Sequence, residues 1–443
     1  MIPPDAFASH TLSRHPEGER VQRILAAAIR SAEAGAAVRR FFRRESDSLF
    51  VDGREYPLDK IGRVRVLGLG KASPAMTLPL ADLLPDRATR GLLIPKATPV
   101  HTPGGFDLQP GGHPVPSEAS LRAGQKARGL VRGLDENDLL ICLISGGGSA
   151  LMTLPHAGVS LPDLRALTSD LLACGARVDE VNILRRQLDS LKGGGLARLA
   201  SPARVVSLIL SDVVGNPLEA IASGPTAPDP STREDARRVL EKYGLAEKVP
   251  APILEALETN PETPKPGDAL FERVQNVVVG SNARAAESAC SQARSEGFHP
   301  VWLGDDWQGE ARDVGRELSR ILKSASEPRP FCLVAGGETT VAVRGRGRGG
   351  RNQELALAAV RELAGGPDLL LVTLATDGED GVTDAAGAVV SGETLARGLG
   401  LGLVPESFLA ENDSYSYFNA LDDLLRPGPT GTNVNDLMFC FGL

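Results

Sequence analysis

The sequence has few cysteines and no long apolar run, and both absences limit what the protein can be. Its five cysteines form no CxxC pair, so we expect free thiols in a reducing compartment rather than disulfides or a metal site. No apolar run approaches about 18 to 20 residues, which argues against a membrane span. The first twenty residues lack a basic segment followed by an apolar one, so no signal peptide is expected. These absences predict a cytoplasmic protein.

The chain also lacks the positive charge of a nucleic-acid-binding protein. Its net charge is −8 and its pI is about 5.5, which argues against a basic surface for nucleic acid. Only nine of its 48 basic residues are lysines. Apolar residues make up 42% and charged residues 23%, the balance of a soluble globular protein. A length of 443 residues exceeds what one hydrophobic core usually supports, so two domains are expected.

Short apolar runs alternate with helical patterns along the chain, which is typical of βα units and a largely parallel sheet. The runs that predict strands cover residues 63–70, 91–95, 139–145, 205–211, 275–281, 331–337, 369–376 and 436–443. The proline-rich stretch at 260–268 predicts a linker. We therefore expect domains at residues 1–264 and 265–443.

Glycine-rich turns follow most of the predicted strands, and ligands of open α/β sheets gather at such strand ends. In the first turn, LGLGKAS, Lys71 stands where strand gives way to helix. The turn is not a Walker A loop, because Arg65 occupies the place of the first glycine. It also lacks the third glycine of a dinucleotide fingerprint. Lys71 is therefore either a ligand-binding residue or a solvated lysine at a helix start.

The second turn, SGGGS, contains Ser145, Gly146, Gly147, Gly148 and Ser149 between a predicted strand and a helix. Consecutive glycines expose several N–H groups to one concavity, which suits phosphate or carboxylate. The alternative is a tight turn that needs positive φ. The stretch lacks the GxSxG pattern of a nucleophile elbow.

Further polar residues follow in the first half. Arg185 and Lys192 lie seven residues apart on one predicted helix face, and Lys192 leads into the triple glycine that begins with Gly193 and Gly194. We interpret that triple glycine as a second anion site. Asp212 ends a predicted strand, where a carboxylate can hold Mg²⁺, accept a proton or cap a helix.

The second half contains the tract GRGRGGR, which ends at Arg351 and is followed by a helical pattern. A basic residue at a helix N-terminus interacts unfavourably with the helix dipole, by about 0.3–1 kcal/mol. An anion bound there would make the interaction with both the helix and the basic residue favourable. Glu338 follows a nearby strand and two glycines. The other interpretation of the tract is a disordered RNA-binding segment.

Four acidic residues lie within 377–384, after another predicted strand. They could bind Mg²⁺, with Asp377 favoured because it lies nearest the strand end, or they could form caps and Asx turns. His101 and His113 lie in a proline- and glycine-rich loop, which could act as a lid. Without further ligands nearby they make a poor metal pair.

Nine motifs occur in a fixed order from about residue 20 to the C-terminus: GLGKAS, SGGGSAL, LKGGGLA, LSDVVG, SGPT, GGETTV, GRGGRNQELAL, TDGEDG and GPTGTNVNDL. Together they resemble the glycerate 2-kinase family, whose second half is the MOFRL domain. The resemblance implies two α/β domains, the first Rossmann-like with a mostly parallel sheet, and an active site in the cleft between them.

The same resemblance implies ATP-dependent phosphorylation of D-glycerate at its 2-hydroxyl, giving 2-phosphoglycerate and ADP with Mg²⁺ as cofactor. It places the family's catalytic lysine and arginine on Lys71 and Arg351, and our hypothesis adds Asp212 to this catalytic set. Asp377 or Asp212 would hold Mg²⁺. The candidates for substrate or phosphate binding are Ser145, Gly146, Gly147, Gly148, Ser149, Arg185, Lys192, Gly193, Gly194, Glu338 and Asn352.

The expected partners are small molecules, with no nucleic acid and no membrane, and the expected state is a monomer or a homodimer. Two alternatives remain open. An NAD(P)H-dependent hydroxypyruvate reductase would need a dinucleotide fingerprint with an acidic residue about 20 positions on. An RNA-binding protein would use the Arg-Gly tract and bind with an affinity that falls steeply with salt.

Overall fold

The computed structural model describes residues 2–85, 90–99 and 104–443, so His101 lies outside the described residues. The chain forms two compact units, one of residues 37–279 and the other of residues 1–36 together with residues 280–443. The predicted division, with a single boundary after residue 264, did not anticipate that residues 1–36 group with residues 280–443. The N-terminal segment joins the C-terminal part because the helices Gly18–Ala32 and Asn282–Ser295 pack together, with Arg23 Nε 2.8 Å from Glu296 Oε1.

Helices make most of the connections between strands. Their bounds are α1 His10–Arg14, α2 Gly18–Ala32, α3 Ala34–Phe41, α4 Ser73–Leu83, α5 Glu118–Val131, α6 Gly148–Leu151, α7 Leu161–Ala173, α8 Val178–Gln187, α9 Gly195–Ala200, α10 Arg233–Lys242, α11 Ala251–Thr259, α12 Asn282–Ser295, α13 Ala311–Ser324, α14 Arg351–Leu363, α15 Thr394–Gly400, α16 Pro405–Ala410 and α17 Ser414–Leu421. Across the described ranges, no helix is both long enough and apolar enough to cross a membrane.

The strands include one for each of the eight predicted runs. Their bounds are β1 Phe42–Glu45, β2 Ser48–Val51, β3 Arg54–Pro57, β4 Val64–Leu69, β5 Gly91–Ile94, β6 Phe106–Leu108, β7 Leu139–Ile144, β8 Arg204–Leu210, β9 Val274–Gly280, β10 His299–Trp302, β11 Trp307–Glu310, β12 Phe331–Thr340, β13 Leu369–Ala375, β14 Gly387–Ser391, β15 Leu424–Leu425 and β16 Asp436–Gly442.

The unit of residues 37–279 contains a six-stranded sheet in the order β6-β5-β4-β7-β8-β9. The pairs from β6 to β8 are all parallel, as predicted. Leu92 and Cys142 of this sheet pack with Ala127 of α5 in one buried core. Because β4, β7 and β8 are neighbours, the turns at their carboxyl ends lie side by side. The antiparallel sheet β1-β2-β3 was not predicted, since its short strands are rich in charged residues.

The other unit contains a mixed sheet, so the prediction of a largely parallel sheet is wrong here. The strand order is β10-β12-β16-β13-β14-β15, and β16 runs antiparallel to both β12 and β13. A loop rather than a crossover helix leads from β15 into β16, which permits the antiparallel pairing. The register sets Asp436, the first residue of β16, beside Gly337 and Ala375 at the ends of its two neighbours. Leu371 and Met438 pack with α13 and α14 in the core.

The Arg-Gly tract is a hydrogen-bonded loop between β12 and α14. Asn412 Oδ1 accepts hydrogen bonds from the N–H groups of Arg344 and Gly345, at 2.7 and 2.9 Å. The glycines face backbone: a Cβ on Gly345 would lie 2.3 Å from Glu411. A Cβ on Gly347 would lie 2.3 Å from the Cβ of Asp413. The alternation of glycine and arginine therefore reflects close packing against residues 411–414.

We expect Gly347→Ala to destabilise the protein by about 1–3 kcal/mol, because the added methyl group has no space beside Asp413. Urea denaturation followed by circular dichroism measures the change in the free energy of unfolding. Gly400→Ala is the matched control, since a Cβ there meets nothing within 4 Å. An equal effect of the two substitutions would contradict the packing role.

Candidate active site

The turns after β4 and β7 are joined by hydrogen bonds. The N–H of Lys71 donates to the carbonyl of Gly146 at 3.0 Å, and the N–H of Ser145 donates to the carbonyl of Leu69 at 2.9 Å. Ser145 Oγ accepts a further bond from the N–H of Ala72, at 3.0 Å. These contacts hold Lys71 at the carboxyl edge of the sheet, beside the triple-glycine turn.

The triple-glycine turn offers unused donors. In the part of the chain that the structure describes, no acceptor takes up the N–H groups of Gly146, Gly147 or Gly148. Gly147 has a φ of +85° and caps the start of α6, so the turn needs a glycine there. The half-buried Asp212 covers Gly146, because a Cβ on that glycine would lie 1.9 Å from Asp212 Oδ2. The turn therefore presents free N–H groups with one carboxylate beside them.

Lys71 and His113 both approach this turn. A Cβ placed on Gly147 would lie 3.6 Å from Lys71 Cε and 3.1 Å from His113 Cδ2. Lys71 is exposed, and no carboxylate within the described ranges pairs with its ammonium group. Burial and then the charges of Lys71 and Lys96 lower the pKa of His113 below 6.5. The imidazole is therefore neutral at pH 7, and Lys71 carries the positive charge.

The second triple glycine, predicted to bind an anion, is hydrogen-bonded within the protein. The N–H groups of Gly193 and Gly194 donate to the carbonyls of Ser223 and Gly224, at 2.9 and 2.7 Å. These donors are already used within the protein, which favours a structural role over phosphate binding. Ser223 Oγ also donates to Ser149 Oγ at 2.9 Å. This contact ties the SGPT turn to the end of the SGGGS turn.

Lys192 belongs to a buried ion pair. Its Nζ lies 2.6 Å from Asp189 Oδ2, and both side chains are at most 4% exposed. Thr153 Oγ1 donates to the same carboxylate oxygen at 2.6 Å. Burial lowers the pKa of Lys192, and the lysine in turn keeps the pKa of Asp189 below its usual value. The pair supports the fold of this segment, and the geometry does not favour Lys192 as a substrate ligand.

Arg185 and Lys192 do not share a helix face, because α8 ends at Gln187. The two residues nevertheless line one small cavity of about 30 Å³, together with Ser149. Arg185 Nη1 donates to Asn182 Oδ1 at 3.2 Å, and burial lowers the pKa of its guanidinium. No carboxylate in the described residues forms an ion pair with it. A half-buried cation without a carboxylate partner favours a bound anion.

In the unit of residues 1–36 and 280–443, Arg351 opens α14 and is held by two carboxylates. Its Nε and Nη2 donate to the two oxygens of Asp436, and its Nη1 donates to Glu338 Oε1 at 2.7 Å. Burial would lower the pKa of Arg351, but the charges of Asp436 and Glu338 raise it above its ordinary value. The Arg351 side chain is 32% exposed. It therefore keeps N–H donors for a ligand.

The acidic residue at the start of α14 is Asp380. Its two oxygens accept hydrogen bonds from the N–H groups of Asn352 and Gln353, at 3.2 and 2.8 Å. This capping was one of the two predicted roles for the 377–384 acids. Burial and the neighbouring charge of Asp436 raise the pKa of Asp380 to about 7. The carboxyl group of Asp380 thus occupies the N-terminus of α14, where the sequence suggested that an anion could bind.

The remaining predicted residues of this unit lie close by. Asn352 is 1% exposed and contacts the Asp380 and Asp436 carboxyl groups, so its position favours orienting them over binding substrate. Asp377 is half-buried at the end of β13, and its Oδ1 accepts from the N–H of Glu379 at 3.2 Å. Within the described ranges, no group of three or more His, Cys, Asp or Glu side chains could hold a metal ion.

Comparisons with known proteins agree with these motifs. Family models described as "Domain of unknown function (DUF4147)" and "MOFRL family" match residues 20–258 and 331–436. A D-glycerate 2-kinase of Thermotoga maritima is 41% identical, over 86% of this chain and 91% of that protein. The crystal structure of a glycerate kinase from T. maritima has a TM-score of 0.86 at 37% identity, covering 96% of this chain and 99% of that one.

The chain belongs to the glycerate 2-kinase family. A putative hydroxypyruvate reductase of Agrobacterium vitis is also 41% identical, over 85% of this chain and 98% of that protein. The family resemblance and the α/β fold expected from sequence are thereby confirmed. The cleft expected between the domains stays a prediction.

Two residues beside the candidate site, Asp436 and His113, were not among the predicted binding or catalytic residues. Asp436, which pairs with Arg351, opens the last strand, but its neighbours depend on a register that the sequence does not reveal. His113 comes from a distant loop, and no local pattern connects it to the SGGGS turn. The five cysteines are free, as expected, although Cys174 is exposed rather than buried.

We expect Lys71→Ala to raise the pKa of His113, because it removes a positive charge that opposes protonation of the imidazole. NMR titration of the imidazole C–H signal measures this pKa, and the signal is assigned by its loss in His113→Gln. Lys248→Ala is the control, since that exposed lysine does not influence His113. An unchanged pKa in Lys71→Ala would show that the two side chains do not interact.

We also expect Asp380 to make stability depend on pH. Because its folded-state pKa of about 7 lies above the ordinary 3.8, its contribution is fully present below the unfolded pKa and is lost as the pH rises through about 7. In Asp380→Asn, the melting temperature should therefore fall less between pH 5 and 8 than in the wild type. Exposed Asp306→Asn is the control. Parallel curves for wild type and Asp380→Asn would contradict the assignment.

Proposed function

We propose that this protein transfers the γ-phosphoryl group of ATP to the 2-hydroxyl of D-glycerate, giving 2-phosphoglycerate and ADP. The observation that carries the proposal is the SGGGS turn with its free N–H groups beside an unpaired Lys71. Phosphoryl transfer depends on positioning and charge stabilisation more than on covalent chemistry. A turn of free N–H groups next to an ammonium ion supplies both.

In this proposal, the N–H groups of Gly146, Gly147 and Gly148 bind phosphate oxygens of ATP, with Ser145 and Ser149 at the two ends of the turn. Lys71 neutralises the charge that develops on the transferred group. Its lack of a carboxylate partner means that no protein contact must be broken before it binds phosphate. His113, neutral at pH 7, can offer a hydrogen bond without adding charge.

Arg351 would contact the transferring phosphoryl group or the glycerate carboxylate. Its contacts with Asp436 and Glu338 use three N–H groups, one on each nitrogen, and a guanidinium has five. Two donors therefore remain for a bidentate contact with either anion. The two carboxylates fix the plane of the guanidinium, so little side-chain entropy is lost when it binds.

Arg185 would bind a second anionic group of the substrates, because this half-buried residue has no carboxylate partner among the described residues. Asp212, beside Gly146, would orient the attacking hydroxyl or accept its proton.

The residues present fit a Mg²⁺ ion that arrives with the nucleotide. Mg²⁺ in such sites uses one or two carboxylates plus phosphate oxygens, and the half-buried Asp212 lies beside the free N–H groups that would bind phosphate. Asp377, half-buried at the end of β13, is the other candidate. When bound, Mg²⁺ would neutralise phosphate charge.

The reductase alternative has less support. A dinucleotide site needs a third glycine in the first turn, and Ser73 occupies that position. The RNA-binding alternative loses its basis as well, because the Arg-Gly tract is hydrogen-bonded to residues 412 and 413, and Arg348 stacks on Tyr415 at 4.5 Å. The free thiols support a reducing compartment, and we propose the cytoplasm. A monomer or a homodimer stays a prediction.

We expect Lys71→Ala and Arg351→Ala each to lower kcat/KM by at least about 100-fold, the scale of a removed electrostatic donor. The assay couples ADP formation from ATP, Mg²⁺ and D-glycerate, and NMR distinguishes the 2-phosphate from the 3-phosphate. Exposed Lys248→Ala and Arg346→Ala are matched controls that should keep wild-type rates.

Two results would overturn the proposed function. One is wild-type kcat/KM in both catalytic variants with the fold intact. The other is oxidation of NADH by hydroxypyruvate without ATP, which would establish the reductase instead.

A further inference from the structure

A cluster of basic residues lies in the unit of residues 37–279, away from the turns described above. It is a groove of about 910 Å³ at the surface, which we call the basic groove. The charged residues in its lining are Arg63, Arg65, Arg90, Lys126, Arg132 and Asp107.

The basic groove lies at the amino-terminal edge of the parallel sheet. Arg63 and Arg65 stand at the start of β4, and Arg90 immediately precedes β5. Because the strands are parallel, the turns with Lys71 and Gly146 lie at the opposite edge. The six residues of β4 separate the two edges by about 20 Å. A ligand in the groove would therefore not touch the candidate active site.

The charge in the basic groove is not balanced by the described protein. Arg63 pairs with Asp138, and more loosely with Asp135 at 3.4 Å. In the ranges that the structure describes, no carboxylate forms an ion pair with Arg65, Arg90, Lys126 or Arg132. Asp107 is exposed. The chain as a whole has a net charge of −8. A groove lined by four cations that have no carboxylate partner in the described residues is therefore unusual for this protein.

Arg65 is the most confined of these cations. Its side chain is half-buried, and its Nη1 donates to the carbonyl of Val64 at 3.2 Å. Burial, followed by the charges of Arg63 and Arg90, lowers the pKa of Arg65. The three guanidinium groups therefore repel one another. A bound anion would replace this repulsion with attraction.

We propose that the basic groove binds a compact anion that carries two or more phosphate groups. The several unpaired cations come from β4, from the residue before β5 and from the end of α5, so they surround a small volume rather than form a line. A flat or linear basic surface would suit a nucleic-acid backbone, whereas a concave site suits a small ligand.

Inorganic pyrophosphate is the probe, titrated into the protein in an isothermal titration calorimeter. We expect Arg65→Gln/Arg90→Gln to weaken pyrophosphate binding at least tenfold. The control Arg122→Gln/Arg128→Gln removes two exposed arginines of α5 that do not line the groove, and it should bind like the wild type. Lys71→Ala should retain the groove binding, which distinguishes it from binding of pyrophosphate at the SGGGS turn.

The kinase rate without pyrophosphate should stay within twofold of wild type in Arg65→Gln/Arg90→Gln, which also checks the fold. If that variant does not fold, Lys126→Gln/Arg132→Gln, at two exposed positions, must show the weakening. Equal binding in groove variants and controls, or no binding by the wild type, would overturn the proposal. So would a 20-nucleotide RNA that binds more tightly than pyrophosphate and loses affinity in the groove variants.

Discussion

Two hydrogen bonds between neighbouring turns set the geometry of the SGGGS turn and its surroundings. The N–H of Lys71 bonds the carbonyl of Gly146, and the N–H of Ala72 bonds the Ser145 hydroxyl. These bonds fix the backbone of both turns, so the N–H groups of the triple glycine point away from protein acceptors. Among the described residues, no carboxylate pairs with Lys71 beside them, although Asp212 lies next to Gly146. Unused N–H donors and an ammonium group in one place favour the binding of an anion.

In the other unit, by contrast, the candidate ligand-binding cation Arg351 is paired with carboxylates. Arg351 is neutralised in advance by Asp436 and Glu338, while Asp380 satisfies the N–H groups at the start of the same helix. Burial, assisted by the nearby charge of Asp436, raises the pKa of Asp380 to about 7. Such pre-pairing restricts the guanidinium to one orientation. In the proposed function, Lys71 would contribute positive charge, and Arg351 would contribute hydrogen bonds of fixed orientation.

The sequence predicted the strands and the glycine-rich turns after them because both depend on local patterns. Buried parallel strands appear as apolar runs, and β7 is buried along its whole length. Phosphate binding by the SGGGS turn stays a prediction. The same glycine pattern at Gly193 could not show that a hydrogen bond to Ser223, thirty residues away, uses its N–H donor.

Long-range pairing accounts for the remaining misses. The antiparallel pairing of β16 between β12 and β13 places Asp436 beside Arg351. The packing of α2 on α12 joins the N-terminal residues to the C-terminal part of the chain. Neither follows from hydrophobic periodicity. The Arg-Gly tract had two interpretations from sequence, an anion-binding loop or a disordered RNA-binding segment, and neither predicted that its glycines make close contacts with residues 411–414.

In the proposed function, the free N–H groups of the SGGGS turn bind nucleotide phosphates. This binding can be measured by amide NMR of glycine-labelled protein titrated with a non-hydrolysable ATP analogue and Mg²⁺. We expect large shifts for the amides of Gly146, Gly147 and Gly148 at saturation, and small ones for Gly193 and Gly194. Shifts confined to Gly193 and Gly194, or none in either turn while the analogue binds, would contradict it.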